Sequence, residues 1–264
     1  QLNISADSLL LSANTPIEGQ GVWSIASGNG GFYSDANDPN TAFYGLSDST
    51  YVLIWSVSNN CSISHDSVII SFAILEFSCG DSLVDLRDLK KYATAQIGTQ
   101  CWMAQNINVG TKINSTMGGH LQTDNGITEK YCYNDSESNC NVYGGLYEWD
   151  EMMQYNPSDN GTVGTTRGIC PDNWHLPTSV EWNVIVNYLG GSGVAGGAMK
   201  ETGTAHWNSP NTGATNSSGF TALPAGDRWY NTGNFLYIGE YGYYWTTVED
   251  NTSNAIHKVL RNST

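Results

Sequence analysis

The sequence predicts a mainly β chain in two parts, a small β-sandwich over residues 1–76 and an α+β domain over residues 77–264. Three observations predict it. Strand-length apolar runs alternate with turn residues in the first third, and no helical period competes with them there. A capped helix pattern occupies residues 177–189. The remainder of the second part is rich in Gly, Asn, Thr and aromatic residues and carries only one other short helical pattern, so strands and ordered loops must build most of it.

Length and charge restrict the options further. The 264 residues suffice for one large domain or two ordinary ones, and a 39 % hydrophobic share with 15 Tyr and 9 Trp excludes a disordered chain. The longest apolar run, residues 68–77, is broken by Ser71 and Glu76 and is far short of the roughly 20 residues that cross a bilayer. No membrane insertion is expected. With 25 acidic and 10 basic side chains, a formal charge of −15, the surface repels phosphate backbones, which argues against nucleic acid as a partner. The chain opens at Gln1 without a targeting segment, which predicts a processed product or a piece of a longer protein.

Along the first part, strands are expected at residues 8–13, 21–25, 41–45, 51–58 and 66–72, with turns at 28–31 and 35–40. In the fourth strand Tyr51, Leu53, Trp55 and Val57 share one face, while Val52 and Ile54 leave the other partly apolar. A new pattern starts near Cys79. Residues 91–108 read as a hairpin turning at Gly98-Thr99, and Leu146, Trp149 and Met153 have the spacing of a short helix after Gly145. Thr178 and Glu181 form a capping box, Trp182, Ile185, Val186 and Leu189 make the buried stripe that follows, and Gly190-Gly191 ends the helix. Later strands are expected at residues 219–223, 234–238, 243–248 and 255–260. Trp102, Trp149, Trp174, Trp182 and Trp245 are expected to close one rigid core.

Six cysteines either form a disulfide framework or remain reduced in the core. Cys132 and Cys140 bracket the polar run 133–139, where a bridge would fix a loop with no core of its own. Zinc is the competitor, but no Cys-x-x-Cys or His pair lies nearby.

Chemistry-bearing clusters are sparse. Glu148 and Glu151 would share a helix face, and such neighbours are expected to point into water. Asp81, Asp85 and Asp88, or Asp135 and Glu137, could offer oxygen ligands to calcium, the one candidate cofactor, although none forms an EF-hand loop. His65, His120, His175, His206 and His257 show no ligand spacing, and His175 is expected to be a hydrogen-bonded structural residue. A binding face is the better prospect. Trp207, Asp227, Arg228, Trp229, Tyr230 and Tyr241 mix aromatic and charged groups in loop-rich sequence, with Tyr237, Tyr243 and Tyr244 beside them, a composition that stacks on sugars or fills a partner pocket. Trp245, within a strand, is expected to pack inside. Eight Asn-x-Ser/Thr sequons, from Asn3 to Asn262, accord with secretion but follow largely from composition.

Five motifs occur in order: Ile97-Gly98-Thr99-Gln100-Cys101-Trp102-Met103-Ala104-Gln105-Asn106, Tyr143-Gly144-Gly145-Leu146-Tyr147-Glu148-Trp149, Cys170-Pro171-Asp172-Asn173-Trp174-His175-Leu176-Pro177-Thr178, Gly219-Phe220-Thr221-Ala222-Leu223-Pro224 and Tyr243-Tyr244-Trp245-Thr246-Thr247-Val248-Glu249. Together they resemble the Fibrobacter succinogenes major paralogous domain, over about residues 79–264. The resemblance implies a bacterial, secreted or surface-exposed protein. It also implies a C-type-lectin-like fold, shared with formylglycine-generating enzymes and hypervariable ligand-binding proteins, and brings no established chemistry. The segments Gly21-Val22-Trp23-Ser24-Ile25, Asp38-Pro39-Asn40-Thr41-Ala42-Phe43 and the strand ending at Cys61 resemble immunoglobulin-like repeats of bacterial surface proteins. No cysteine precedes Cys61, so it is expected to be unpaired or bridged outside this sequence.

Members of the resembled family usually add a final strand with a cysteine, which this sequence does not contain. Cys170 is then expected to lack a partner, and Cys79 with Cys101 becomes the second local disulfide. The function expected is a secreted or cell-surface, non-catalytic binding or adhesion protein, an immunoglobulin-like spacer carrying a lectin-like ligand face toward a protein or glycan. A sheet edge left by the absent strand would instead suit a homo-oligomer, filament subunit or other extracellular assembly. A formylglycine-type enzyme is disfavoured because no cysteine follows Cys170.

Overall fold

The computed structural model describes residues 6–46, 48–72, 77–116 and 118–264. The domain boundary expected at residue 76 and the sequon at Asn3 lie outside the described residues. The chain is mainly β. It divides into two compact units, one ending at Ser78 and the other Cys79–Thr264.

The first unit consists of β1 (Ala6–Leu10), β2 (Gln20–Ser27), β3 (Phe32–Tyr33), β4 (Ala42–Leu46), β5 (Thr50–Ser58) and β6 (Ile63–Ser71). They form two three-stranded antiparallel sheets, ordered β1-β4-β3 and β2-β5-β6. The alternation in β5 sets the packing: Tyr51, Leu53 and Trp55 are buried and meet Trp23 of β2, Phe43 of β4 and Ile70 of β6 in one core. Trp23 lies opposite Trp55 with ring centroids 5.2 Å apart. β3 falls between the turns expected at 28–31 and 35–40 and is not among the expected strands; two residues are too short to show alternation, and Tyr33 reaches the core only because β4 pairs with it.

The second unit begins with an antiparallel meander, β7 (Ser82–Val84), β8 (Lys91–Ile97) and β9 (Gln100–Met103), turning at Gly98 with φ +61°. Then come β10 (Thr111–Lys112) and β11 (Glu129–Lys130), a parallel pair, and four helices: α1 (Glu137–Tyr143), α2 (Trp149–Met152), α3 (Ser179–Tyr188) and α4 (Ser192–Met199). Two hairpins close the unit, β12 (Asp227–Arg228) with β13 (Phe235–Leu236), and β14 (Tyr241–Asn251) with β15 (Asn254–Arg261). A single bridge, Gly226 to Gly242, sets β12 beside β14.

The capping box of α3 forms as expected. Thr178 Oγ1 accepts from the Glu181 N–H at 3.2 Å, Glu181 Oε2 accepts from the Thr178 N–H at 2.9 Å, and Trp182 and Ile185 are buried. Several expectations fail for identifiable reasons. The run 133–139, read as a loop, forms a 3-10 turn at Tyr133–Asp135 and the start of α1, with its flanking cysteines bridged. The helix expected after Gly145 starts only at Trp149, because Leu146 pairs in a bridge with Tyr131. Residues 219–223 are irregular, with one bridge from Ala222 to Lys200. Helix α4 was not foreseen in a glycine-rich run. Its Met199 joins the core, and a Cβ at Gly197 would overlap the Gly213 carbonyl oxygen, so tertiary contact overrides weak helix propensity.

The five tryptophans do not close one core. Trp182 and, at its margin, Trp102 belong with Ile97, Ile185, Met199 and Phe220, whereas Trp149, Trp174 and Trp245 border a second cluster of Val109, Met152, Met153, Ile169, Cys170 and Leu176. Strand β14 divides the two. Its neighbours Tyr244 and Trp245 point to opposite sides, Tyr244 to the Trp182 cluster and Trp245 to the Met153 cluster. Trp149 Nε1 donates to Thr246 O and Trp245 Nε1 to Tyr147 O, each at 2.8 Å, which ties α2 to the strand.

Candidate functional site

The face of β14 that packs Trp245 against the Met153 cluster at one end opens toward the other. Hairpin register sets Tyr241 opposite Arg261, Tyr243 opposite Val259 and Trp245 opposite His257. A ladder of rings follows: Tyr237 to Tyr241 at 5.0 Å, Tyr241 to Tyr243 stacked at 5.7 Å, and His257 5.6 Å from both Tyr243 and Trp245. The Arg261 guanidinium lies 5.5 Å from the centre of the Tyr241 ring. Tyr237 is 41 % exposed, and Tyr241 and Tyr243 are half-buried, so their rings are fixed by packing yet partly open to solvent.

Asp227 on β12 adjoins this ladder. Burial pushes its carboxyl up from the ordinary value, and Oδ1 is buried without a hydrogen-bond partner. Burial, reinforced by the Asp227 charge, raises the Tyr243 hydroxyl to about 12. Fixed aromatic rings beside a cation can meet an apolar surface, while the unused Asp227 Oδ1 faces the interior.

The remaining predicted site residues separate into exposed and internal groups. Trp229 and Tyr230 stand 49 % and 52 % exposed at the β12–β13 turn, and Tyr230 stacks on His120 at 5.0 Å. Arg228 is not available to a ligand. Its side chain is 3 % exposed, lies 4.3 Å over the Tyr131 ring, donates to Ser115 Oγ and Gly119 O, and faces Glu148 Oε1 at 3.6 Å. Trp207 is also internal, at 1 % exposure, with Nε1 donating to Ala222 O and Lys200 Nζ 5.5 Å from its ring. Tyr244 packs against Trp182 and Phe220. Arg261 was missed by sequence reasoning; only its register position opposite Tyr241 reveals it.

The carboxylates expected in water are largely internal. Glu148 accepts from the Tyr131 hydroxyl at 2.9 Å and the Leu121 N–H at 3.2 Å, and it pairs with His120 Nδ1 at 2.7 Å. Glu151 is 1 % exposed and accepts from the Glu129 N–H at 2.8 Å and the Tyr155 hydroxyl at 2.9 Å. Segments far along the chain cover what the helix period alone would have exposed. Of the calcium candidates, Asp85 is held by Arg87, Asp88 by Lys90, Asp135 accepts the Ser115 N–H and Glu137 faces Lys130. Among the described residues no group of three or more His, Cys, Asp or Glu is arranged to hold a metal ion.

A second concavity is lined by residues 156–160 and 165–167. Asp159 organises it: backbone N–H groups of Thr165 and Gly161, with the Thr165 hydroxyl, hold the carboxylate at about 2. Its oxygens are committed to the loop. His175 does hydrogen-bond Glu181, at 2.9 Å.

Cys79 is bonded to Cys101 and Cys132 to Cys140, while Cys61 is an exposed thiol and Cys170 a buried one. No described helix is long and apolar enough to cross a membrane.

No curated protein and no solved structure matches the chain. The family model described as the Fibrobacter succinogenes major domain matches residues 95–264, taking in β9, all four helices and both closing hairpins. That stretch is well over half of the sequence, and the chain belongs to the Fibrobacter succinogenes major domain family.

Proposed function

We propose that the protein is a secreted or cell-surface bacterial binding or adhesion protein without catalytic activity, whose second unit, of C-type-lectin-like architecture, presents an aromatic face to a glycan or protein. The aromatic ladder Tyr237, Tyr241 and Tyr243, flanked by Arg261, carries this reading. Fixed rings lose little entropy on contact, and the adjoining Arg261 charge supplies orientation. The first unit, two sheets sharing one core, suits an immunoglobulin-like spacer. Two disulfides accord with an oxidising compartment. The buried Cys170 thiol, raised to about 12 by desolvation, is a poor nucleophile, which weighs against formylglycine-type chemistry.

Glycan-array and surface-protein binding of the intact chain tests the proposal. Tyr241→Ala with Tyr243→Ala should weaken binding by about tenfold or more, a change of about 1.4 kcal/mol, with the near-native circular dichroism retained. Unchanged binding in that variant would remove the ladder from the interface.

A structural subunit of an extracellular assembly is the second reading. Among the described residues β15 pairs only with β14, so its outer edge can accept another strand. Polymers that grow with concentration would favour it.

A further inference from the structure

We propose that Lys130 and Asn108 form an intramolecular isopeptide bond, with Glu137 as the proton carrier. Both residues are buried, at 3 % and 5 % exposure, and the Lys130 amine lies 2.6 Å from Asn108 Oδ1 and 3.1 Å from its main-chain oxygen. Glu137 Oε1 is 3.3 Å from the same amine. Neither partner has room to wander: Lys130 is on β11, and the Asn108 N–H donates to the Tyr92 hydroxyl at 3.0 Å, just ahead of β10. Lys90 Nζ holds the Asn108 main-chain oxygen at 2.7 Å. Burial, with the Lys90 charge adding to it, lowers the Lys130 amine below the ordinary lysine value, which raises its neutral, nucleophilic fraction.

The step balances without an oxidant or added reactant. Lys130 passes one proton to the Glu137 carboxylate. A small rotation about the Asn108 Cβ–Cγ bond turns the face of the amide carbon to the neutral amine, and the Nζ–Cγ bond forms. The Cγ–Nδ2 bond then breaks as Nδ2 takes the proton held by Glu137 and leaves as ammonia, which takes a second proton from Nζ as ammonium, and Nζ keeps its third as the amide N–H. Glu137 returns to a carboxylate. The product is a neutral amide cross-link between the segments that carry β10 and β11, and it closes the intervening loop covalently.

The intact mass of the purified, reduced full chain tests this. The expected result is a chain lighter than its sequence by one ammonia, with the loss carried on a branched peptide joining the Asn108 and Lys130 segments. The full sequence mass would overturn the proposal, as would an ammonia loss mapped to Asn29, Asn125 or Asn160, which precede glycine and can cyclise alone. Asn108→Asp expels water instead and should give a product identical in mass to the cross-linked parent; a heavier chain counts against the bond. Lys130→Arg should show its full mass. Glu137→Ala, at a half-exposed side chain, should fold and also show its full mass, and a cross-link persisting in it would overturn the proton-carrier role.

Discussion

The two units solve the same problem by different means. In the first, strands bury alternate apolar side chains, and its core of Leu11, Trp23, Phe43, Tyr51, Leu53, Trp55, Ile70 and Phe72 contains no charged group. In the second, long loops are held by charged side chains turned inward: Lys200 is 0 % exposed, Asp85 and Glu151 each 1 %. Lys200 Nζ alone donates to Thr212 O, Arg261 O and Thr264 O. Irregular backbone has unpaired carbonyl and N–H groups that strands would satisfy for each other, and buried charges are the strongest partners available to them. A loop-built unit therefore depends on polar order where a sheet-built unit depends on volume.

Truncations should expose that contrast. Phe43→Ala removes a fully buried ring between Tyr51 and Phe72 and should destabilise the first unit by about 4 kcal/mol, read from the denaturant midpoint of its transition. Phe43→Leu should recover most of this, because volume is what counts there. Arg228→Ala should cost the second unit somewhat less, about 3 kcal/mol, by leaving Glu148 without its buried cation and uncovering Tyr131. Adding Glu148→Gln should then restore part of the loss, since a neutral amide needs no counter-charge while it can still accept from Tyr131 and Leu121. If the double variant is no better than the single one, the order in this unit is steric rather than electrostatic.

The same contrast explains what could be read from the sequence. Alternation in β5 and the capping box of α3 are local patterns, and the residues that form them lie within a few positions of each other. Both were legible. Burial of Glu148 and Glu151 depends on residues 121–131, Tyr155 and Arg228, and burial of Trp207 on Lys200 and Ala222, so no helical or strand period could announce them. Helix α4 was hidden for a related reason: its glycines are disfavoured locally and are selected by the close passage of Gly213. Within the candidate site, the aromatic enrichment showed in the sequence, and Asp227, Trp229, Tyr230 and Tyr241 do reach or border the surface. Arg228 and Trp207 carry the same residue types inward, and only tertiary structure separates the two fates.

The smallest expected effect lies where a local motif meets the polar order of the second unit. Glu181 serves both the Thr178 cap and His175, whose Nε2 lies 2.9 Å from Oε1. Hydrogen bonding to Glu181 raises the folded His175 above 6.5, so its contribution is complete below pH 6.5 and fades as pH rises through the folded value. Glu181 has the opposite sign: despite burial, its bonds to His175 and Thr178 hold the folded carboxyl below 4.5, so its contribution is complete above pH 4.5 and is lost as pH falls through the folded value. The pair is therefore strongest between pH 4.5 and 6.5. His175 is 39 % exposed at its side chain, and solvent screening should keep the His175 share under about 1 kcal/mol. Thermal midpoints of the parent and of His175→Gln, measured from pH 4 to 8, should diverge most inside that window and converge above it. A constant offset across the range would mean that His175 acts by packing beside Gly164 and not by charge, and the cap would then stand on Thr178 and Glu181 alone.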